Sequence, residues 1–166
     1  MVKVERSSLC EGQAAQLTVV GIVLDVGAAL PADPVEDRRL LSLPHIIEGY
    51  HNVSGVISTS GKALEWFRNT LRRPGQDYDS LFEEVCQVPA GSRGLLFLPY
   101  LSGERTPHPD PLARGAFVGL TLNHGSAAML RAVAESVGFA IRDVVAVMEE
   151  LGLAVQDLRI TGRPAR

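Results

Sequence analysis

One long helix sets the strongest limit on what this chain can fold into. Apolar side chains recur between Ser126 and Leu151, at Leu130, Val133, Val137, Ile141, Val144, Met148 and Leu151. This i, i+3/i+4 spacing over about seven turns predicts a helix with one apolar face. Gly152 follows as a natural C-terminal cap. We expect the helix to pack on a sheet through its apolar stripe.

Short β-branched segments predict that sheet. Residues 17–26 predict one buried strand, and Leu40–Leu43 and His51–Ile57 predict two more, which together indicate an antiparallel meander. Residues 94–99, 116–122 and 157–162 predict three later strands, the last of which ends at a glycine.

Two shorter helices complete the pattern. Ser60 is the predicted N-cap of a helix with Leu64, Phe67 and Leu71 on its apolar face. Asp79 or Ser80 is the predicted N-cap of a second helix that turns three apolar residues inward, namely Leu81, Val85 and Val88. The order β-β-β-α-α-β-β-α-β predicts an α/β fold with a mixed sheet, truncated at its C-terminal end because no helix follows the last strand.

Composition narrows the function. The 166 residues suit one domain, and a net charge of −3 leaves no basic surplus for nucleic acid. The longest apolar stretch, residues 17–30, contains Gly21 and Asp25 and is too short and too polar to span a membrane. The two cysteines make no disulfide framework. Without an apolar run after its first charges the chain shows no signal peptide, so we expect a cytoplasmic protein.

Two features could carry chemistry. Gly61 opens a helix after a strand and Gly162 ends a strand, which are positions that suit phosphate. Each glycine alone more often marks a tight turn that needs a positive φ. A long loop after residue 101 is dense in polar groups, and it could be functional or a solvated loop held by ion pairs. Those groups are Glu104, Arg105, His108 and Asp110. The four histidines are scattered and predict no metal site.

Residues 94–124, GLLFLPYLSGERTPHPDPLARGAFVGLTLNH, resemble the signature stretch of the FGGY carbohydrate kinases, and most closely the xylulokinase branch. The resemblance continues through ISTSGKALEWFRNTL (57–71), LRAVAESVGFAIRD (130–143) and LRITG (158–162). It implies a ribonuclease H-like, actin-like ATPase domain. Residues 1–16 remain unmatched, and residues 17–166 correspond to part of the family's C-terminal, ATP-side domain.

The resemblance also implies a function and a site. The activity would be transfer of the ATP γ-phosphate to a sugar such as D-xylulose, with Mg²⁺. Gly61, Glu65, Gly162 and Arg163 fall at positions that contact the nucleotide in the family. The family's catalytic base belongs to the N-terminal domain, so no catalytic residue and no metal ligand is predicted here. The implied partners are ATP, the sugar, and either a second copy of the chain or the N-terminal kinase domain.

Three departures from the family pattern bear on nucleotide binding. Arg163 stands where the second glycine of a pair is usual, and its side chain would obstruct close approach of the backbone. Thr18-Val-Val-Gly21 replaces a polar phosphate-binding hairpin, and Ala128 replaces a polar residue. The alternative is therefore a non-catalytic remnant or interaction module that retains the fold, and we expect no kinase turnover from this chain alone.

Overall fold

The computed structural model describes residues 15–20, 24–30, 35–71, 75, 77–153 and 155–160. These residues form seven strands and three helices. The strands are β1 (Ala15–Val20), β2 (Leu24–Leu30), β3 (Leu41–Pro44), β4 (His51–Ile57), β5 (Leu96–Leu98), β6 (Ala116–Val118) and β7 (Val155–Ile160). The helices are α1 (Gly61–Thr70), α2 (Tyr78–Cys86) and α3 (Ser126–Glu150), with a short 3₁₀ turn at Ser92–Gly94.

The main sheet is mixed, with the strand order β3-β4-β2-β1-β7. β7 runs parallel to β1, and the other neighbours are antiparallel. The single strand predicted over residues 17–26 is wrong: β1 and β2 form an antiparallel pair with Val20 opposite Asp25. The run is apolar and β-branched on both sides of its glycine, so the pattern conceals the reversal. β3 lies outside β4, and the sheet is therefore not a simple meander.

Helix α3 contributes to both buried clusters of the fold, and its apolar stripe packs on the sheet as the sequence predicts. Its C-terminal half packs on the sheet, where Val144 and Met148 are buried against Val53 and Ile57 of β4. Its N-terminal half packs against α1, α2 and β5 through Leu130 and Val133. That second cluster also contains Phe67 of α1, Leu81 and Val85 of α2, and Phe97 of β5. Two cores thus share one helix, and Val137 and Ile141 between them are only partly buried.

The helix ends follow from local chemistry. Asp77, rather than Asp79 or Ser80, is the N-cap of α2, because its carboxylate accepts the Ser80 N–H at 2.8 Å. At the end of α3, Gly152 has φ +78° and donates to Glu149, while Leu153 donates to Met148. This pair of hydrogen bonds is a Schellman motif, which needs the left-handed backbone that glycine adopts without strain. The predicted cap at Gly152 is confirmed.

Candidate nucleotide site

Strand direction brings the carboxyl ends of three strands to one edge of the sheet. β1, β4 and β7 run the same way, because β4 and β1 are both antiparallel to β2 and β7 is parallel to β1. The register places Ile57 opposite Leu24 and Ile160 opposite Val19, so the carboxyl ends of all three strands share that edge. Ligands of open α/β sheets bind outside the carboxyl ends of strands. β4 and β7 lie about 14 Å apart there, three strand spacings.

Gly61 begins α1 at this edge and leaves space in front of the helix. A Cβ built on Gly61 would meet no atom within 4 Å, and the residue does not have a positive φ. Neither packing nor backbone conformation therefore explains the glycine. The first backbone N–H groups of a helix lack the partners that later turns have and carry partial positive charge, which suits an anion. In α1 the Ala63 N–H donates to the Ser60 carbonyl at 2.9 Å, so the N–H groups of Gly61 and Lys62 are the ones that would face an anion.

Glu65 lies one turn further along the exposed face of α1. Ala63 and Phe67 form the buried face, whereas Glu65 is exposed and follows Gly61 by four residues. Residues four apart lie above one another on a helix, about one turn or 5.4 Å along its axis. The structure therefore brings the two predicted α1 residues together on one solvent-facing side.

Gly162 and Arg163 lie outside the described residues, as does Gly21, so their roles stay predictions. β7 is described as far as Ile160, two residues before Gly162.

The segment Ser102–Thr106 lies beside the end of β4 and binds it through alternate side chains. The Ser102 and Thr59 hydroxyl oxygens are 2.7 Å apart, and Glu104 Oε1 accepts the Ser58 N–H at 2.9 Å. Thr106 donates its N–H to the Val56 carbonyl and accepts the Val56 N–H at its hydroxyl oxygen, both at 3.1 Å. The partners run in opposite order along the chain, so the segment lies antiparallel to residues 56–59.

The polar residues predicted in the loop fall into a buried group and an exposed group. Glu104 and Thr106 are buried, while Arg105, His108 and Asp110 are exposed. In the described part of the chain the loop is held by hydrogen bonds of the Glu104 and Thr106 side chains to backbone groups, rather than by the ion pairs that a solvated loop would use. Ser102 and Thr106 were missed by sequence reasoning. Polar residues at every second position were the available signal, because that spacing places them on one side of an extended segment.

Tyr100 precedes the segment Ser102–Thr106 and has a shifted pKa. Burial raises the pKa of Tyr100, and the charges of Asp143 and Glu104 act in the same direction.

Across residues 35–71 and 77–153, no three His, Cys, Asp or Glu side chains are grouped so that they could ligate a metal ion. Among the helices that the structure describes, none has the length and apolar composition needed to cross a membrane.

Known proteins share this architecture. The family description "FGGY family of carbohydrate kinases, C-terminal domain" matches residues 31–163. The chain belongs to this family. The xylulose kinase of Staphylococcus epidermidis RP62A is 30% identical over 166 residues, which cover 98% of this chain and 31% of that protein. The xylulose kinase of Lactococcus lactis is 40% identical over 106 residues, covering 64% of this chain and 21% of that protein.

Solved structures of FGGY kinases confirm the predicted fold class. A xylulose kinase from Rhodospirillum rubrum superposes with a TM-score of 0.82 and 31% identity, over 95% of this chain and 32% of that one. A gluconate kinase from Lactobacillus acidophilus superposes with a TM-score of 0.77 and 29% identity, over 91% of this chain and 30% of that one. The fold is the ribonuclease H-like domain of actin-like ATPases. The chain spans about a third or less of the length of these relatives.

Proposed function

We propose that this chain forms the nucleotide-binding part of a cytoplasmic, ATP-dependent sugar kinase whose acceptor is D-xylulose. Relatives that are 40% and 35% identical are named xylulose kinases, which favours that sugar. A gluconate kinase of similar fold makes gluconate the second candidate. An enzyme that transfers a phosphoryl group between two substrates must hold each of them in a fixed position. The nucleotide-binding part of such a kinase must therefore contain a defined place for ATP.

The observation that carries the proposal is the open space in front of Gly61. It lies at the helix start where backbone N–H groups converge, and at the sheet edge where three strands end. A phosphate placed there would accept hydrogen bonds from the first turn of α1. A glycine that neither packing nor φ requires is explained if a ligand approaches the backbone at that point.

The remaining predicted residues complete the proposed site. Glu65, one turn along the same exposed face, would accept hydrogen bonds from the nucleotide's hydroxyl groups. Gly162 and Arg163 would follow β7 at the same edge. Mg²⁺ would arrive bound to the ATP phosphates, because it is commonly held by phosphates and waters rather than by an all-protein cage. It would neutralise phosphate charge there.

Calorimetric titration with Mg·ATP, repeated on Gly61→Leu, tests the site. Leucine is a good helix former and its side chain would fill the open space, so we expect the fold to persist and affinity to fall about tenfold or more. Gly138→Leu is the matched control, since Gly138 is an exposed glycine of α3 that likewise has no neighbour within 4 Å of a built Cβ. We expect the control to bind as the unaltered chain does. Equal affinities for all three proteins would contradict the site.

Arg163→Gly extends the same titration. Its side chain would stand at a position of close backbone approach, so its removal should strengthen Mg·ATP binding about tenfold, or about 1.4 kcal/mol. No binding by the unaltered chain or by this variant would overturn the proposal and favour a non-catalytic module that retains the fold.

A further inference from the structure

The start of α1 is not fixed in the way its sequence predicts. Ser60 does occupy the N-cap position, but its backbone has φ −121° and ψ −92° and its side chain makes no capping hydrogen bond to the helix. A serine N-cap normally fixes the helix start by accepting an N–H of the first turn. A hydrogen bond from a distant residue to Ser58 also bears on the path of the chain from β4 into α1.

Glu104 supplies a contact at that point from a distant part of the chain. Its Oε1 accepts two backbone N–H groups, from Ser58 at 2.9 Å and from Arg105 at 2.8 Å. Its own backbone pairs with Asp110 at 2.9 and 3.0 Å, which closes the loop behind it. Glu104 is therefore held both at its backbone and at Oε1, and it binds Ser58, three residues before Gly61.

The second carboxyl oxygen of Glu104 lowers the folding stability that this contact provides. The residue is 4% exposed, and Oε2 is buried with no hydrogen-bond partner among the described residues. A buried polar atom without a partner costs folding free energy. Folding stability alone does not account for a side chain that leaves this atom unpaired, whereas its acceptor oxygen for the Ser58 N–H does.

We propose that Glu104 is a positioning residue of the nucleotide site: by holding the Ser58 N–H it fixes the direction in which the first turn of α1 presents its own N–H groups. This inference rests on the proposed function, since it assigns Glu104 to the same site. The carboxylate acts through the backbone and has no contact with nucleotide.

Three variants test the proposal: Glu104→Ala, Glu104→Gln and, as the control, Glu135→Ala. Glutamine keeps an acceptor oxygen for Ser58, and alanine removes it. Glu135 is also a glutamate that accepts a backbone N–H, that of Gly91, but it is bonded to a different part of the fold. The measurements are amide hydrogen exchange along the chain and Mg·ATP affinity, both at a temperature where every variant is folded.

For Glu104→Ala we expect the amides of Ser58–Ala63 to exchange about tenfold faster, with those of α3 unchanged, and Mg·ATP affinity to fall about tenfold. Glu104→Gln should restore both, and Glu135→Ala should alter neither at this site. If alanine leaves no folded protein, Glu104→Asp withdraws the carboxylate by one methylene and takes its place.

The outcomes separate this inference from the proposed function. Unchanged exchange at Ser58–Ala63, or failure of glutamine to restore it, overturns the role of Glu104. A local exchange effect in a chain that does not bind Mg·ATP supports the positioning of α1 by Glu104 and overturns the nucleotide site. An equal rise in exchange over the whole chain shows a general loss of stability and overturns the proposal.

Discussion

Glu135 holds a left-handed turn between α2 and β5. Its carboxylate accepts the Gly91 N–H at 3.0 Å and the Ser92 hydroxyl at 2.9 Å, and it pairs with Arg131 at 2.6 Å. Ser92 and Arg93 have φ of 47° and 58°, a conformation that costs an L-residue about 1–2 kcal/mol. Burial raises the pKa of Glu135, but hydrogen bonds from these partners outweigh it and hold the pKa below its ordinary value.

A depressed carboxyl pKa predicts acid sensitivity. Its stabilisation is present above the pKa of an unfolded glutamate, about 4.3, and is lost as pH falls through the lower folded value. We expect the unfolding free energy to fall in that window, and to fall less steeply in Glu135→Gln, as measured by urea denaturation between pH 7 and pH 3. Exposed Glu83 supplies the control, Glu83→Gln, which should keep the original slope. Identical slopes in all three proteins would show that Glu135 is not responsible.

At the scale of elements, β4 and α3 meet at a glycine. A Cβ on Gly55 would lie 2.4 Å from Cγ1 of Val144, closer than real contacts allow. Gly55→Ala should therefore cost about 1–3 kcal/mol, and Val144→Ala about 2 kcal/mol through the cavity it leaves. Because the smaller side chain makes room for the new methyl, the double variant should cost about 1 kcal/mol less than the sum. Urea denaturation of the four proteins measures this coupling, and strict additivity would mean that the helix does not pack on β4 at this point.

At the scale of the whole molecule, the 166 residues correspond to about a third of a full-length FGGY kinase, and this limits the kinase activity that we expect of them. The chain matches 31% of the S. epidermidis xylulose kinase and 32% of the R. rubrum structure. In-line phosphoryl transfer needs both substrates and a base positioned together. We expect a polypeptide of these 166 residues to bind Mg·ATP without xylulose-dependent release of ADP, as followed in a coupled assay with a no-enzyme blank. ADP release that rises with xylulose concentration would contradict this expectation.

Sequence patterns predicted the elements that depend on nearby residues. The α3 stripe, β4 and the glycine end of α3 follow from periodicity and backbone preference within one segment, and the structure agrees at each. The site at Gly61 was predicted from a glycine between a strand and a helix and from family resemblance. The pattern was insufficient where two signals overlapped, as in residues 17–26, because apolar β-branched residues on both sides of a reversal look like one strand.

Contacts between distant segments follow from packing rather than from a local pattern. Glu104 appears in the sequence as one of several charges in a polar loop, yet it is buried and bound to Ser58, 46 residues earlier. Gly55 resembles any glycine in a strand until α3 lies against it. Apart from the reversal within residues 17–26, local pattern predicted which segments become helix or strand, because those preferences are local. Which polar groups are buried and which backbone groups they hold was decided by packing, because a hydrogen bond between distant residues exists only after the chain has brought them together.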